Sequence, residues 1–239
     1  MIAYGVCIGS EDKFSSCARH GLAACAAASA PIAESRDNES IFSAYNQILD
    51  YFCASPELEA VVLLHEDLEL RDGRFEAKIK SILSDGSVAI AGAVGAVDVT
   101  SLAWWEGSGR GRCAETRGLV DFGGGEHDVD SVDGLMMVLS AWAVRNLRFD
   151  ELTYSGFHGY DADICFQARA AGRRVIVADF DLFHHTKGGY GDLESYRKAD
   201  AAFRMKWIGP GSGRRPGCED TSARSWAPSA SRFVVGRAC

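Results

Sequence analysis

At 239 residues, 47% apolar and 24% charged, the chain has the composition of an ordinary globular protein with length for a sizeable core, which excludes a disordered or fibrous polymer. A formal net charge of -8 excludes the basic field that neutralises phosphate backbones, so no nucleic acid is expected as a partner. Eight cysteines, at positions 7, 17, 25, 53, 113, 165, 218 and 239, stand singly without a Cys-x-x-Cys pair and read as core thiols of a reducing cytoplasm.

The first residues, 2 to 8, form an apolar, partly β-branched run with no basic leader, and it stops at Gly9-Ser10. Ser10 is the expected cap of a helix reaching residue 28, a polar loop is expected at 31 to 39, and Ser40 caps a second helix. Ile41, Tyr45, Ile48, Leu49 and Phe52 mark the buried face of that helix. Ala60-Val-Val-Leu-Leu is a strand buried on both faces that ends at His65-Glu66-Asp67. A helix at 75 to 83 and a strand at 88 to 94 follow, so the order is β-α-α-β-α-β and the sheet is expected to be mostly parallel. Residues 105 to 126, rich in Gly, Arg and Glu, make a long loop or distorted hairpin. An extended stretch at 129 to 138 comes next, then helices at 141 to 146 and 162 to 171, a strand at 174 to 180 and an amphipathic helix at 193 to 207. After Gly209 the composition turns to Gly, Pro, Ser and Arg, the signature of a flexible basic tail over 208 to 239. No apolar run approaches the roughly 20 residues of a membrane span.

Several polar groups stand where the expected strands leave the core. Asp67 is placed to hold a divalent cation whose shell substrate phosphates complete, although a solvated strand exit or helix cap has the same sequence. His184 and His185 offer imidazole to the same ion, with His65 beside it. Adjacent strand residues face opposite ways, so one of the pair is expected to bind and the other to pack or hydrogen-bond. Asp161 and Asp163 open the helix that Gly172 ends. There they serve as cap and dipole partner, as an ionised general base, or as both. Lys187-Gly188-Gly189 offers a mobile cation suited to closing on a diphosphate, in a turn type also common in inert loops. Trp104 and Trp105 either stack on a sugar or pack.

Taken together, Ser43-Ala-Tyr-Asn46, Val61-Val-Leu-Leu-His-Glu-Asp67, Val132-Asp-Gly134, Phe149-Asp-Glu151, Gly156-Phe-His-Gly-Tyr-Asp-Ala-Asp163 and His184-His185 resemble inverting glycosyltransferases of family 2 with the GT-A fold, in particular a small bacterial glycosyltransferase-like group. The resemblance covers roughly residues 1 to 207. It implies a single α/β, Rossmann-like domain with a mostly parallel central sheet flanked by helices, its nucleotide-binding half at 1 to 100 and its acceptor half at 127 to 207. It also implies a nucleoside-diphosphate-sugar donor near Ser10, Glu11 and Asn46, and Mn2+ or Mg2+ near Asp67 and His184. Asp133 and Gly134 would border donor sugar and acceptor, and Asp161 would be the base. The family's usual Asp-x-Asp and Glu-Asp motifs stand here as His65-x-Asp67 and Tyr160-Asp161. The acceptor hydroxyl belongs to a glycan, a lipid-linked molecule or a small molecule. Arg214, Arg215, Arg224, Arg232 and Arg237 of the tail are candidates for peripheral contact with anionic lipid at the inner face of a membrane. Two other functions fit the same residues: a degenerate module that grips a nucleotide-sugar without transferring it, and a zinc hydrolase using His65, Asp67, His184 and His185.

Overall fold

A computed structural model describes residues 1–189, 191–209 and 232–238. The chain opens with β1 (Ile2–Ile8), nearly all buried, and turns at Gly9-Ser10 into a helix whose first amide groups Ser10 caps by accepting from the Lys13 N–H. That helix is built of α1 (Glu11–Lys13), a wider π turn over Phe14–Ala18, and α2 (Arg19–Cys25), and it stops before the alanines expected to extend it to 28. The segment expected as a polar loop instead holds β2 (Pro31–Arg36), in which Ile32, Ala33 and Ser35 are buried. Its polar residues hid it: Glu34 is satisfied by Arg36 at 2.7 Å, and Pro31 stands at the strand's first position, where no ladder donor is needed.

Helix α3 (Ile41–Cys53) is capped by Ser40, which accepts from the Phe42 N–H. Its Phe42, Ile48 and Leu49 are fully buried, each contributing roughly 2 kcal/mol of apolar burial. The helix rides directly on β1 and β3 (Ala60–His65) because Gly5 has no side chain: a Cβ there would lie 2.8 Å from both Ile48 and Leu63. A three-residue strand, β4 (Leu68–Leu70), follows before α4 (Phe75–Leu83). The strand expected over 88 to 94 is divided into β5 (Val88–Gly92) and β6 (Val94–Val97), which belong to different sheets. Residues 105 to 126 form an antiparallel hairpin, β7 (Ser108–Glu115) and β8 (Gly118–Asp121). Short strands β9 (His127–Asp128) and β10 (Ser131–Val132) lead to β11 (Met136–Ser140), α5 (Ala141–Asn146), α6 (Tyr160–Ala170), β12 (Arg174–Val177), β13 (Leu182–His184) and α7 (Leu193–Phe203), which a π turn extends through Arg204–Ile208.

The central sheet has the order β14-β2-β1-β3-β11-β5-β12-β9, where β14 is Arg232–Arg237. Strands β2, β1, β3, β5 and β12 run one way, and β14, β11 and β9 the other. Helices α3 and α5 pack on β1, β3 and β11, while α6 covers β12 and β10. A smaller sheet, β10-β6-β7-β13-β4, stands beside it. The expected flexible tail is therefore corrected at its end, because β14 pairs with β2 along its whole length and takes Arg232 and Arg237 into the sheet edge. Arg214, Arg215 and Arg224 lie outside the described residues. Cys7, Cys17, Cys25, Cys53, Cys113 and Cys165 are free thiols, and among the described residues no helix is long and apolar enough to cross a membrane.

Candidate functional site

The ends of β3, β4, β7 and β13 are fixed relative to one another by strand register. His184 pairs with Leu68 across β13 and β4 and with Glu115 across β13 and β7, which brings Asp67, Glu115 and His184 to one place. Backbone bonds lock the corner: the His185 N–H donates to Asp67 O at 2.9 Å, and the Thr116 N–H to His184 O at 3.1 Å. Antiparallel β11 then delivers the loop before it to the same crest, with the His65 N–H donating to Leu135 O at 3.0 Å.

One ligand atom each from His65, Asp67 and His184 lies within 4.8 Å of the others. Two imidazoles with one carboxylate suit a transition-metal dication such as Mn2+. His184 fits through its Nε2, which lies 3.3 Å from Asp67 Oδ1, while its Nδ1, buried without a hydrogen-bond partner, faces Glu115 at 3.5 Å on the other edge of the ring. His65 Nε2 and the Tyr160 hydroxyl share a hydrogen bond of 2.6 Å, which orients the ring and leaves its other nitrogen for a ligand. Burial, aided by neighbouring His184, lowers the His65 pKa and keeps the ring neutral, as a ligand must be. For Asp67 burial acts upward, but hydrogen bonds from His184 and Lys13 outweigh it and hold the carboxyl well below the usual range. Burial also opposes charge on His184, and Asp67 with Asp133 and Glu115 overcomes it, raising that pKa.

Two clefts meet at this cluster. The first, about 510 Å3, runs over the ends of β1, β2 and β3 and is lined by Gly9, Asp37, Asn38, His65, Glu66 and Asp67 among others. The second, about 600 Å3, is lined by His65, His184, Glu115, Asp133, Asp161 and an aromatic wall. Both volumes fall in the range of ligand sites, about 300–1,000 Å3. His65, Phe157 and Tyr160 face both, so the clefts share a partition.

Asp161 sits in the first turn of α6 with one oxygen accepting from the Gly134 N–H at 3.0 Å and the other from the Ala162 N–H at 2.9 Å. Burial, reinforced by Asp133, lifts its pKa to about 7 despite those donors. Asp133 accepts from the Trp104 indole at 3.1 Å and from the Leu135 N–H at 2.9 Å. Gly134 does not line the cleft; it makes room for Tyr160, whose hydroxyl would lie 2.2 Å from a Cβ there, and its amide holds Asp161.

Other expected residues are not brought to the site. Asp163, expected beside Asp161 in catalysis, is 1% exposed and accepts from Gln167, Trp207 and Lys206 at 2.7 Å each, so it clamps the last helix onto α6. Asn46, expected near the nucleotide, spends its amide on Phe149 and Glu151 and fixes the chain ahead of α6. His185 turns away from the cluster to bond Glu69 at 2.8 Å, as strand alternation requires. Ser10 caps α1 and Glu11 pairs with Arg36; both lie just beyond Gly9, outside the cleft lining. Lys187 is exposed, although its neighbours Thr186, Gly188 and Gly189 line the larger cleft.

The sequence reading missed Lys13, Glu66, Glu115 and Tyr160. Lys13 bonds Asp67 at 2.9 Å, and Glu66 accepts from the Gly9 and Ser10 amides at 2.5 and 2.7 Å. Tyr160 and Glu66 carried a local signal, Tyr160 next to Asp161 and Glu66 between His65 and Asp67; Lys13 and Glu115 carried none.

Residues 3–205 match the model of a family described as "Glycosyltransferase like family". The streptomycin biosynthesis protein StrF of Streptomyces griseus is 34% identical over 212 residues, 87% of this chain and 75% of that protein. Among solved structures, A197 from STIV is similar at a TM-score of 0.50 and 9% identity over 78% of this chain and 86% of that one. A structure of GalNAc-T7 with UDP, GalNAc and Mn2+ is similar at a TM-score of 0.57 and 8% identity over 87% of this chain and 48% of that one, so this chain spans about half of GalNAc-T7. At those identities the likeness is one of fold. By the extent of the family match and the identity to StrF, this chain belongs to the glycosyltransferase-like family, family 2-like and of GT-A fold.

Proposed function

We propose that the chain is an inverting glycosyltransferase that moves a sugar from a nucleoside-diphosphate-sugar to a hydroxyl acceptor, with Asp161 as general base and His65, Asp67 and His184 as holders of Mn2+ or Mg2+. One observation carries the reading: two clefts join at a His-Asp-His cluster, one over the carboxyl ends of parallel strands and the other containing a carboxylate with a pKa near neutrality. GalNAc-T7, of the same fold, was solved with UDP, GalNAc and Mn2+, which supports a donor of that class here. A cation held by the triad would supply positive charge to the leaving diphosphate.

The chain's own groups do the rest. Asp161, at about 7, is half ionised at neutral pH and is a much stronger base than an ordinary aspartate, so it takes the proton of an acceptor hydroxyl as that oxygen bonds the anomeric carbon. The bond from that carbon to the diphosphate breaks on the opposite face, and configuration inverts. Backbone amides of Gly134 and Ala162 fix the base's orientation, and Lys13 adds a cation on the nucleotide side. The test is release of nucleoside diphosphate from UDP-, GDP- and dTDP-sugars with and without Mn2+. Asp161→Asn is expected to cut turnover by about 10²–10⁴ while donor binding, read as a thermal shift, persists. Turnover within about tenfold of the parent in that variant refutes the base assignment.

The ion pair between Lys13 and Asp67 favours a second reading, a silent nucleotide-sugar-binding module, because it neutralises Asp67 without a metal. Tight donor binding with neither hydrolysis nor transfer would support it. Stoichiometric zinc in the purified protein with no nucleotide affinity would instead support a hydrolase.

A further inference from the structure

Among the described residues, ten large apolar side chains are exposed, and three of them, Trp105, Phe122 and Phe157 at 43%, 44% and 49%, rim the larger cleft. Trp104 stands behind them, edge-on to both Trp105 and Phe122 with ring centroids 5.9 and 6.4 Å away, and its indole N–H is tied to Asp133. The wall is rigidly built. A Cβ on Gly109 would come within 2.6–2.8 Å of Phe122, so the glycine lets that ring lie flat on the β7 backbone while half of it still faces solvent. A ring held so closely yet left wet gains little from burial, and concentrated exposed aromatics mark binding surfaces.

Polar groups interleave with this wall. Glu115, Arg117, Asp133 and Asp161 line the same cleft, with Arg117 paired to Glu115 at 2.7 Å. A surface that alternates flat apolar rings with charged donors and acceptors matches a pyranose, whose C–H face is apolar and whose edge carries hydroxyls. It does not match a prenyl or acyl chain, which would strip water from those charges without replacing its bonds. We propose that the wall formed by Trp105 and Phe122 is the acceptor platform and that the acceptor is a saccharide, its ring stacked there with one hydroxyl turned to Asp161. This rests on the glycosyltransferase reading only in naming the saccharide as acceptor; the binding itself is separate.

The test is saturation-transfer NMR on the full chain with the methyl glycosides of glucose, galactose, mannose and N-acetylglucosamine, and with farnesyl phosphate as the lipid probe. Ring C–H protons of at least one glycoside are expected to receive saturation. Trp105→Ala and Phe122→Ala should each cut it at least fivefold, and Trp105→Phe should restore more than half, with each variant's thermal unfolding checked. No saturation of any glycoside, saturation in both alanine variants undiminished from the parent, or saturation of the farnesyl chain alone overturns the platform. Thermal shifts by UDP, GDP and dTDP with Mn2+ on the same samples separate the two claims. Shifts retained without glycoside contact sink the platform only, whereas glycoside contact without any nucleotide shift supports the platform and counts against the transferase.

Discussion

Replacing Asp161 by Asn should cut turnover and, at alkaline pH, strengthen the fold. An aspartate ordinarily near 3.8 in the unfolded chain and at about 7 in the fold opposes folding by about 2 kcal/mol at pH 5 and about 4 kcal/mol at pH 8. The stability associated with its protonated form is complete below pH 4 and is lost as pH climbs through 7. Asn carries no charge at any pH, so the variant escapes this loss. It gives up one acceptor, since the two carboxylate oxygens serve the Gly134 and Ala162 amides separately, at about 1–3 kcal/mol independent of pH. The difference in unfolding free energy, variant minus parent, should therefore move in the variant's favour by about 2 kcal/mol between pH 5 and pH 8, a relative Tm shift of roughly 4–8 °C for a chain of this size. Urea unfolding at pH 5, 6.5 and 8 measures it. A difference that stays flat or moves the other way would refute the burial argument, and with it the reason for assigning Asp161 as a base at neutral pH. The variant's kcat should fall by about 10²–10⁴.

Asp163→Ala should cost about 1–3 kcal/mol, because the Trp207 indole and Gln167 lose an acceptor that is 1% exposed while Lys206 keeps Asp150; calorimetry reads this as a lowered Tm, and an unchanged Tm would mean the clamp is inert. His184→Ala should weaken Mn2+ binding by at least the 10–100-fold typical of supporting residues, whereas His185→Ala should leave it within about twofold; isothermal titration distinguishes them. Gly21→Ala should destabilise by about 1–3 kcal/mol, since its Cβ would lie 2.3 Å from the Leu70 amide nitrogen and force α2 off β4, while Gly73→Ala, with open space around it, should be nearly neutral in the same denaturation assay.

Elements that bury one continuous stripe were legible from residue order. The helix at 75 to 83, α3 with its Ser40 cap, and β3 carry their own apolar period, and their positions follow from it. Strands β2, β4 and β14 carry no such signal, because each is held by pairing with a distant segment: β4 exists through β13, and β14 through β2. The site divides the same way. His184 joins Asp67 by register, which no local pattern encodes, and the outward turn of His185 is the other half of the same alternation. Asp161 and Asp163 look equivalent as letters, two residues apart. Only the arrival of Trp207 and Lys206 from the last helix distinguishes the buried clamp from the carboxylate in the cleft.

The reversed direction of β11 has a consequence for how this scaffold can diversify. The chain leaves the central sheet after Gly92, touches its far edge at β9 and returns to its middle at Met136; the stretch from 93 to 126 is a detour off that sheet that carries Trp104, Trp105, Glu115 and Phe122. Such a detour is an exchangeable cassette: its rings and loop lengths can be rewritten while β1, β3 and β11 keep their pairing. The ladder between β7 and β13 constrains the swap. Ala114 and Glu115 pair with Phe183 and His184, so a transplanted cassette must keep that two-residue register or pull the imidazole away from Asp67.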